Sequence, residues 1–226
     1  MANQLDLEEQ EQLDQLKAFW KQYGNLITWA LIAVLGAFAG WNLYQRWQTS
    51  QATQASSLFD ELDRVAKSGD VGKIDRVFAD IKDKFPSTTY AQQGALLAAK
   101  AYFEAGKSAQ SKSALAWVVE NSSDDGYKAI GKLRLAAVLM DDKAFDDALK
   151  QLEGSFPPEF LALVADRRGD VFMLQGKKAE ARGEYEKAYK SFDERAEYKR
   201  LVEVKLNALG VDPKVIVSAV PADLKK

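Results

Sequence analysis

GDVFMLQGKKAEARGEYEKA, residues 169–188, is the stretch that decides the fold. Small residues (Gly169, Gly176, Ala181, Ala188) are interleaved with the large rings of Phe172 and Tyr185 at intervals of three, four and five. Such intervals keep residues on one face of a helix, and Gly176 punctuates the run as a turn. The segment therefore reads as two helices folded back on each other. The small residues let the paired helices cross closely, and the rings fill the space towards the next pair. One such pair cannot bury its apolar face alone, so the pattern demands neighbours of the same kind.

Those neighbours are present. The segment resembles the tetratricopeptide pattern, a helix pair of ~34 residues. Gly169, Phe172, Gly176, Ala181, Tyr185 and Ala188 stand in order at its small, large and turn positions. Ala136, Leu139, Lys143, Ala148 and Leu152 fit a preceding unit, with Lys143 where glycine is usual. Ala99, Tyr102, Gly106 and Leu115 fit another, with Ser111 in a place usually held by alanine. Leu62, Val65, Gly69, Phe78 and Pro86 fit a first unit, in which Ile74 replaces a small residue. Residues 193–209 read as one more helix capping the stack. No segment alternates convincingly as a strand, and only 211–217 is ambiguous. The fold class is all-α: a repeat domain over 46–210 and a tail over 211–226.

Ahead of the repeats lies a stretch of a different kind. Gln22 to Gln45 carries no charged side chain, and ~20 such residues in a helix span a bilayer core. Residues 22–45 are expected to form one transmembrane anchor, preceded by a short acidic tail over 1–21. Ala37-Phe38-Ala39 has the form of a signal-peptidase site, so a cleaved leader is the competing reading. The acidic N-terminal side and the apolar character beyond that site favour an uncleaved anchor. Phe19, Trp20 and Tyr23 at one end, and Trp41, Tyr44 and Trp47 at the other, suit the two headgroup levels. Lys17 and Lys21 before the span, against Arg46 after it, place the N-terminus in the cytoplasm by the positive-inside rule. Gly36 and Gly40 form a G-x-x-x-G, either a helix-contact face or the ordinary small-residue content of such helices.

Composition excludes much chemistry. The chain has neither Cys nor His, which removes thiolate nucleophiles, histidine-based triads and the usual zinc sites. Catalytic, metal and cofactor sites are all expected to be absent. The 31 basic and 33 acidic side chains nearly cancel. With no basic field, nucleic acid is not an expected partner. Gly106-Lys107-Ser108 lacks the strand and the first glycine of a phosphate loop. Asp124-Asp125, Asp141-Asp142 and Asp146-Asp147 are expected to start helices and cap their free N–H groups.

The inner face of a helical stack comes from the first helix of each pair. Projecting the pattern puts Phe59, Leu96, Phe103, Leu133, Met140, Asp166 and Met173 there, with Lys100, Asp63 and Asp170 beside them. Such a surface suits an extended or helical peptide. The same residues would serve equally by packing on each other or on a terminal helix.

The order of features resembles the YfgM-like ancillary subunits of the SecYEG translocon. The resemblance rests on Phe19-Trp20 with Tyr23-Gly24-Asn25, Gly40-Trp41 and Leu133-Arg134-Leu135-Ala136. It continues through residues 164–170, Gln175-Gly176-Lys177, Ala179 and Ala181-Arg182. It implies a single-pass bacterial inner-membrane protein with its repeat domain in the periplasm and no enzymatic activity. The implied partners are the SecYEG translocon, a PpiD-like periplasmic chaperone and newly exported polypeptides. A scaffold of another envelope complex, for assembly or division, is the alternative.

Overall fold

The computed structural model describes residues 7–193 and 195–213. Residues 1–6 of the acidic tail and 214–226 of the C-terminal tail lie outside that range. Among the described residues the regular structure is helical: α1 (Leu7–Ser68), α2 (Val71–Lys84), α3 (Thr89–Glu104), α4 (Ser108–Asn121), α5 (Asp125–Asp141), α6 (Phe145–Gln151), α7 (Leu161–Leu174), α8 (Lys178–Ser191) and α9 (Glu197–Ala208). A single 3₁₀ turn, Pro158–Phe160, leads into α7. The chain divides into two compact units, the first ending at Thr53 and the second beginning at Gln54.

The first unit is a lone helix, long and apolar enough to cross a membrane, with none of its apolar stretch buried in the protein. Two of its polar side chains turn back onto its own carbonyls, which suits a spanning helix. Thr28 Oγ1 donates to the Gly24 carbonyl at 2.8 Å, and Asn42 Nδ2 to that of Phe38 at 3.4 Å. Rings cluster at both ends of the apolar stretch: Phe19 with Tyr23, and Trp41, Tyr44 and Trp47 in series.

The second unit is built from pairs. The last turns of α1 and α2 make the first, α3 and α4 the second, α5 and α6 the third, α7 and α8 the fourth, and α9 closes the series. Consecutive helices pack together from α2 to α9, and the first helices α3, α5 and α7 also touch in order. Leu62, Ile74, Ile81, Tyr102, Leu115 and Val118 knit the first two pairs into one core. Ala136, Ala148, Leu152 and Val171 join the third pair to α7. Ala181, Tyr185, Val202 and Leu206 join the fourth pair to α9. Links between residues 34 apart mark the period: Gln93 Nε2 donates to Tyr127 Oη at 2.8 Å, and Ser108 Oγ to Asp142 Oδ2 at 2.8 Å.

Close approach at small residues holds the second and fourth pairs. A Cβ placed on Gly169 would sit 2.4 Å from Tyr185 Cε1, so the ring lies directly on the α7 backbone. Ser111 fits where alanine is usual because its hydroxyl donates to the Ala99 carbonyl at 2.8 Å, leaving no orphaned group in the core. Ile74 occupies its small-residue position fully buried.

Four helix ends share one turn. The N–H of Lys107, Ala144, Lys177 and Val211 each bonds the carbonyl five residues earlier, at 2.8 to 3.1 Å. This is the Schellman closure, whose penultimate residue is left-handed. Glycine supplies it at Gly106, Gly176 and Gly210, but in the third pair Lys143 adopts φ 60°. The acidic pairs divide. Asp124 accepts the Tyr127 N–H at 2.9 Å and caps α5 as expected, while Asp146 and Asp147 lie in the first turn of α6 without a side-chain cap bond. The expectation for Asp141-Asp142 is corrected: they end α5 rather than start a helix. Asp142 accepts from Ser108 and pairs with Lys112 on α4. Those two partners, Lys112 first, hold its carboxyl below the usual range.

Lys143→Gly should stabilise the domain by about 1 kcal/mol, by removing the left-handed cost of a side chain. Gly169→Ala should destabilise it by about 1–3 kcal/mol through overpacking on Tyr185. Urea unfolding of the detergent-solubilised protein, followed by circular dichroism, measures both.

Candidate interaction surface

An open cavity of about 250 Å³ lies where α3, α4 and α5 meet, lined by Ala99, Lys100, Phe103, Ser111, Leu115, Arg134, Ala137 and Val138. Its room comes from three small side chains, Ala99, Ser111 and Ala137. Phe103 is 43% exposed beside it. Arg134 reaches across from α5 and places Nη1 3.5 Å from the Leu96 carbonyl. Lys100 lies 3.7 Å from Glu104, with both side chains in solvent.

A second constellation sits between α7, α8 and α9. Asp166 is 1% exposed. It accepts two bonds from Lys205 Nζ, at 2.7 and 2.9 Å, and one from Tyr198 Oη at 2.9 Å. Asp170 accepts from Tyr185 Oη at 2.8 Å and from the same ammonium at 2.7 Å. One lysine of α9 thus bridges two carboxylates one helical turn apart on α7, which fixes the register of the capping helix. Burial raises the Asp166 carboxyl above its ordinary value, against the pull of Lys205. Burial, and then the charge and hydrogen bond of Asp166, push the Tyr198 phenol up to about 12. Tyr185 and Tyr102 are likewise raised by burial first, with Asp170 and Asp75 adding to it.

The residues projected from the sequence do not form one surface. Lys100 and Phe103 line the cavity. Leu133 and Met140 are half-buried against the core joining the third pair to α7, and Met173 against the core under α9. Leu96 is buried, and Phe59 stacks on Tyr90 with centroids 5.9 Å apart. Asp63 pairs with Lys67 at the surface. Asp166 and Asp170 meet the terminal helix, one of the two arrangements the sequence left open. Arg134, Ala137 and Val138 were not projected onto the inner face, although their spacing marks one α5 face. Nor was Lys205, whose partners lie more than 30 residues away. Within the first unit, a Cβ on Gly36 or Gly40 would meet nothing within 4 Å. Among the described residues no acidic cluster is arranged to hold a metal ion.

The family model of the tetratricopeptide repeat-like domain matches residues 17–211. The chain belongs to this family. Curated relatives carry one name, ancillary SecYEG translocon subunit. The relative from Neisseria gonorrhoeae is 28% identical over 204 residues, 90% of this chain and 98% of its own. That from Haemophilus influenzae is 29% identical over 205 residues, 90% and 98%. That from Escherichia coli is 28% identical over 206, 90% and 97%. No solved structure matches the chain.

The Tyr198 phenol gives a pH test of the α9 contact. Its ordinary value of 10 rises to about 12 in the folded protein. Between those values the unfolded chain has lost a proton that the folded one keeps, so stability falls as pH rises. The contribution is complete below pH 10 and lost through about 12. The stability difference between the protein and Tyr198→Phe should therefore be flat below that window and fall within it, measured by urea unfolding across an alkaline pH series.

Proposed function

We propose that this chain is a non-enzymatic ancillary subunit of the Sec protein translocon. In this reading residues 22–45 anchor it in the bacterial inner membrane beside the channel, with the N-terminus cytoplasmic. The repeat domain then stands in the periplasm, where it docks a PpiD-like chaperone, newly exported chains, or both. The observation that carries the reading is that the likeness to named translocon subunits runs through anchor and repeats alike, over 90% of this chain. A relative sharing the repeats alone would support a fold and no location.

The mechanism is bivalent. An anchor held beside the channel turns a weak peptide contact into one at high local concentration, and neither half needs high affinity. Gly36 and Gly40 offer a face on which another transmembrane helix can pack closely. On the domain, Lys100 and Phe103 lie open at the cavity and are the first contacts to expect. Leu133 and Met140 pack against the core joining the third pair to α7, and Met173 against the core under α9, so they stand apart from this cavity. No histidine, cysteine or metal cluster is needed for such a role, whose energy comes from contact.

The test uses the full chain with a C-terminal tag, extracted from native membranes in mild detergent. Translocon subunits should co-purify, and replacing residues 22–45 by an unrelated apolar helix should reduce their recovery severalfold while the domain stays folded. Protease added outside spheroplasts should digest the domain. Recovery of division or assembly proteins without translocon subunits, or a domain protected from external protease, would contradict the proposal.

A further inference from the structure

We infer that the cavity between α3, α4 and α5 binds a peptide by one aromatic or large aliphatic side chain and that Arg134 takes a carboxylate next to it. This rests on the reading of the domain as a peptide-docking surface and names the chemistry of the peptide. Three observations carry it.

Size comes first. The cavity measures about 250 Å³, and an apolar cavity of roughly 150 Å³ already accepts benzene. One phenyl or isobutyl group fits, entering past the exposed ring of Phe103, on which a second ring can stack in an offset or edge-on geometry. The polarity of the walls comes second. Ala99, Leu115, Ala137 and Val138 offer carbon, and the one hydroxyl, Ser111 Oγ, is already committed to the Ala99 carbonyl. An apolar group therefore strands no polar group in the cavity wall.

The third is the charge at the cavity. Arg134 has no carboxylate partner among the described residues; its contact is a long one to the Leu96 carbonyl. A guanidinium offers five donors in a planar fork that matches a carboxylate. The second cation, Lys100, is held by Glu104 at 3.7 Å with both side chains exposed. Such a pair is worth little and exchanges readily. An apolar hole flanked by one unpaired and one weakly paired cation complements a peptide in which an acidic residue adjoins a large apolar one. Arg134 is exposed at the cavity edge, so a basic neighbour is repelled there and a neutral one forgoes the ion pair.

The full chain in lipid discs is titrated with fluorescent peptides that hold phenylalanine followed by aspartate, asparagine or lysine in a glycine–serine context. Anisotropy reads the binding. The aspartate peptide should bind severalfold tighter than the asparagine one, as expected for a charge-assisted hydrogen bond to an exposed guanidinium. The lysine peptide should bind weakest. Arg134→Gln should bring the aspartate peptide down to the asparagine level without changing the latter, and Arg134→Lys should restore part of the difference. Phe103→Ala should weaken both peptides alike. Equal affinity for aspartate and asparagine, equal loss of both in Arg134→Gln, or no binding of any peptide would overturn the inference. Translocon recovery on the same variants separates the two readings. Translocon recovery without the carboxylate preference sinks this inference alone, and the preference without recovery sinks the translocon reading alone.

Discussion

Everything in the repeat domain depends on one steric condition: a ring can lie on a helix backbone only where that backbone carries no side chain. Tyr185 over Gly169 meets it most tightly, at a separation no Cβ could tolerate. The same ring aims its hydroxyl at Asp170, and Asp170 shares the Lys205 ammonium with Asp166. The tight crossing of α7 and α8 thus sets the position of the carboxylates that hold α9. The closing helix is a consequence of the pair it closes. A buried carboxylate is costly unless paired, so the arrangement also disfavours any other register of α9.

Small and large residues at helical spacing carry this logic in the primary sequence, which is why the units from Leu62 onward could be read there. Where the pattern broke, the structure shows the compensation. Ser111 answers with a bond to the Ala99 carbonyl, Ile74 with complete burial, and Lys143 with a left-handed backbone imposed by the same hydrogen bonds that glycine satisfies elsewhere. Asp142 was less legible because its role depends on α4, 34 residues away in sequence. The surface residues were harder still. Leu133 and Met140 lie one residue or more from Arg134, Ala137 and Val138, and one residue on a helix is a rotation of ~100°. The second helix of the third pair, α6, ends after seven residues. Leu133 and Met140 pack into the core around α6 and α7, and the neighbouring face lines the cavity.

The two units treat their apolar side chains in opposite ways. The first exposes its apolar side chains and returns two of its polar ones to its own backbone, which suits lipid. The second buries its apolar side chains between pairs and leaves one apolar cavity flanked by cations.

Site-specific photocrosslinking in intact membranes tests the account most directly, with one probe near Gly36 in the anchor and others at Phe103 and Met140 on the domain. The account predicts adducts to translocon subunits from the anchor and, from Phe103, to a chaperone or an exported chain, with the half-buried Met140 position giving far fewer. Adducts to unrelated envelope proteins alone, from both units, would contradict it and leave the fold in the service of a different complex.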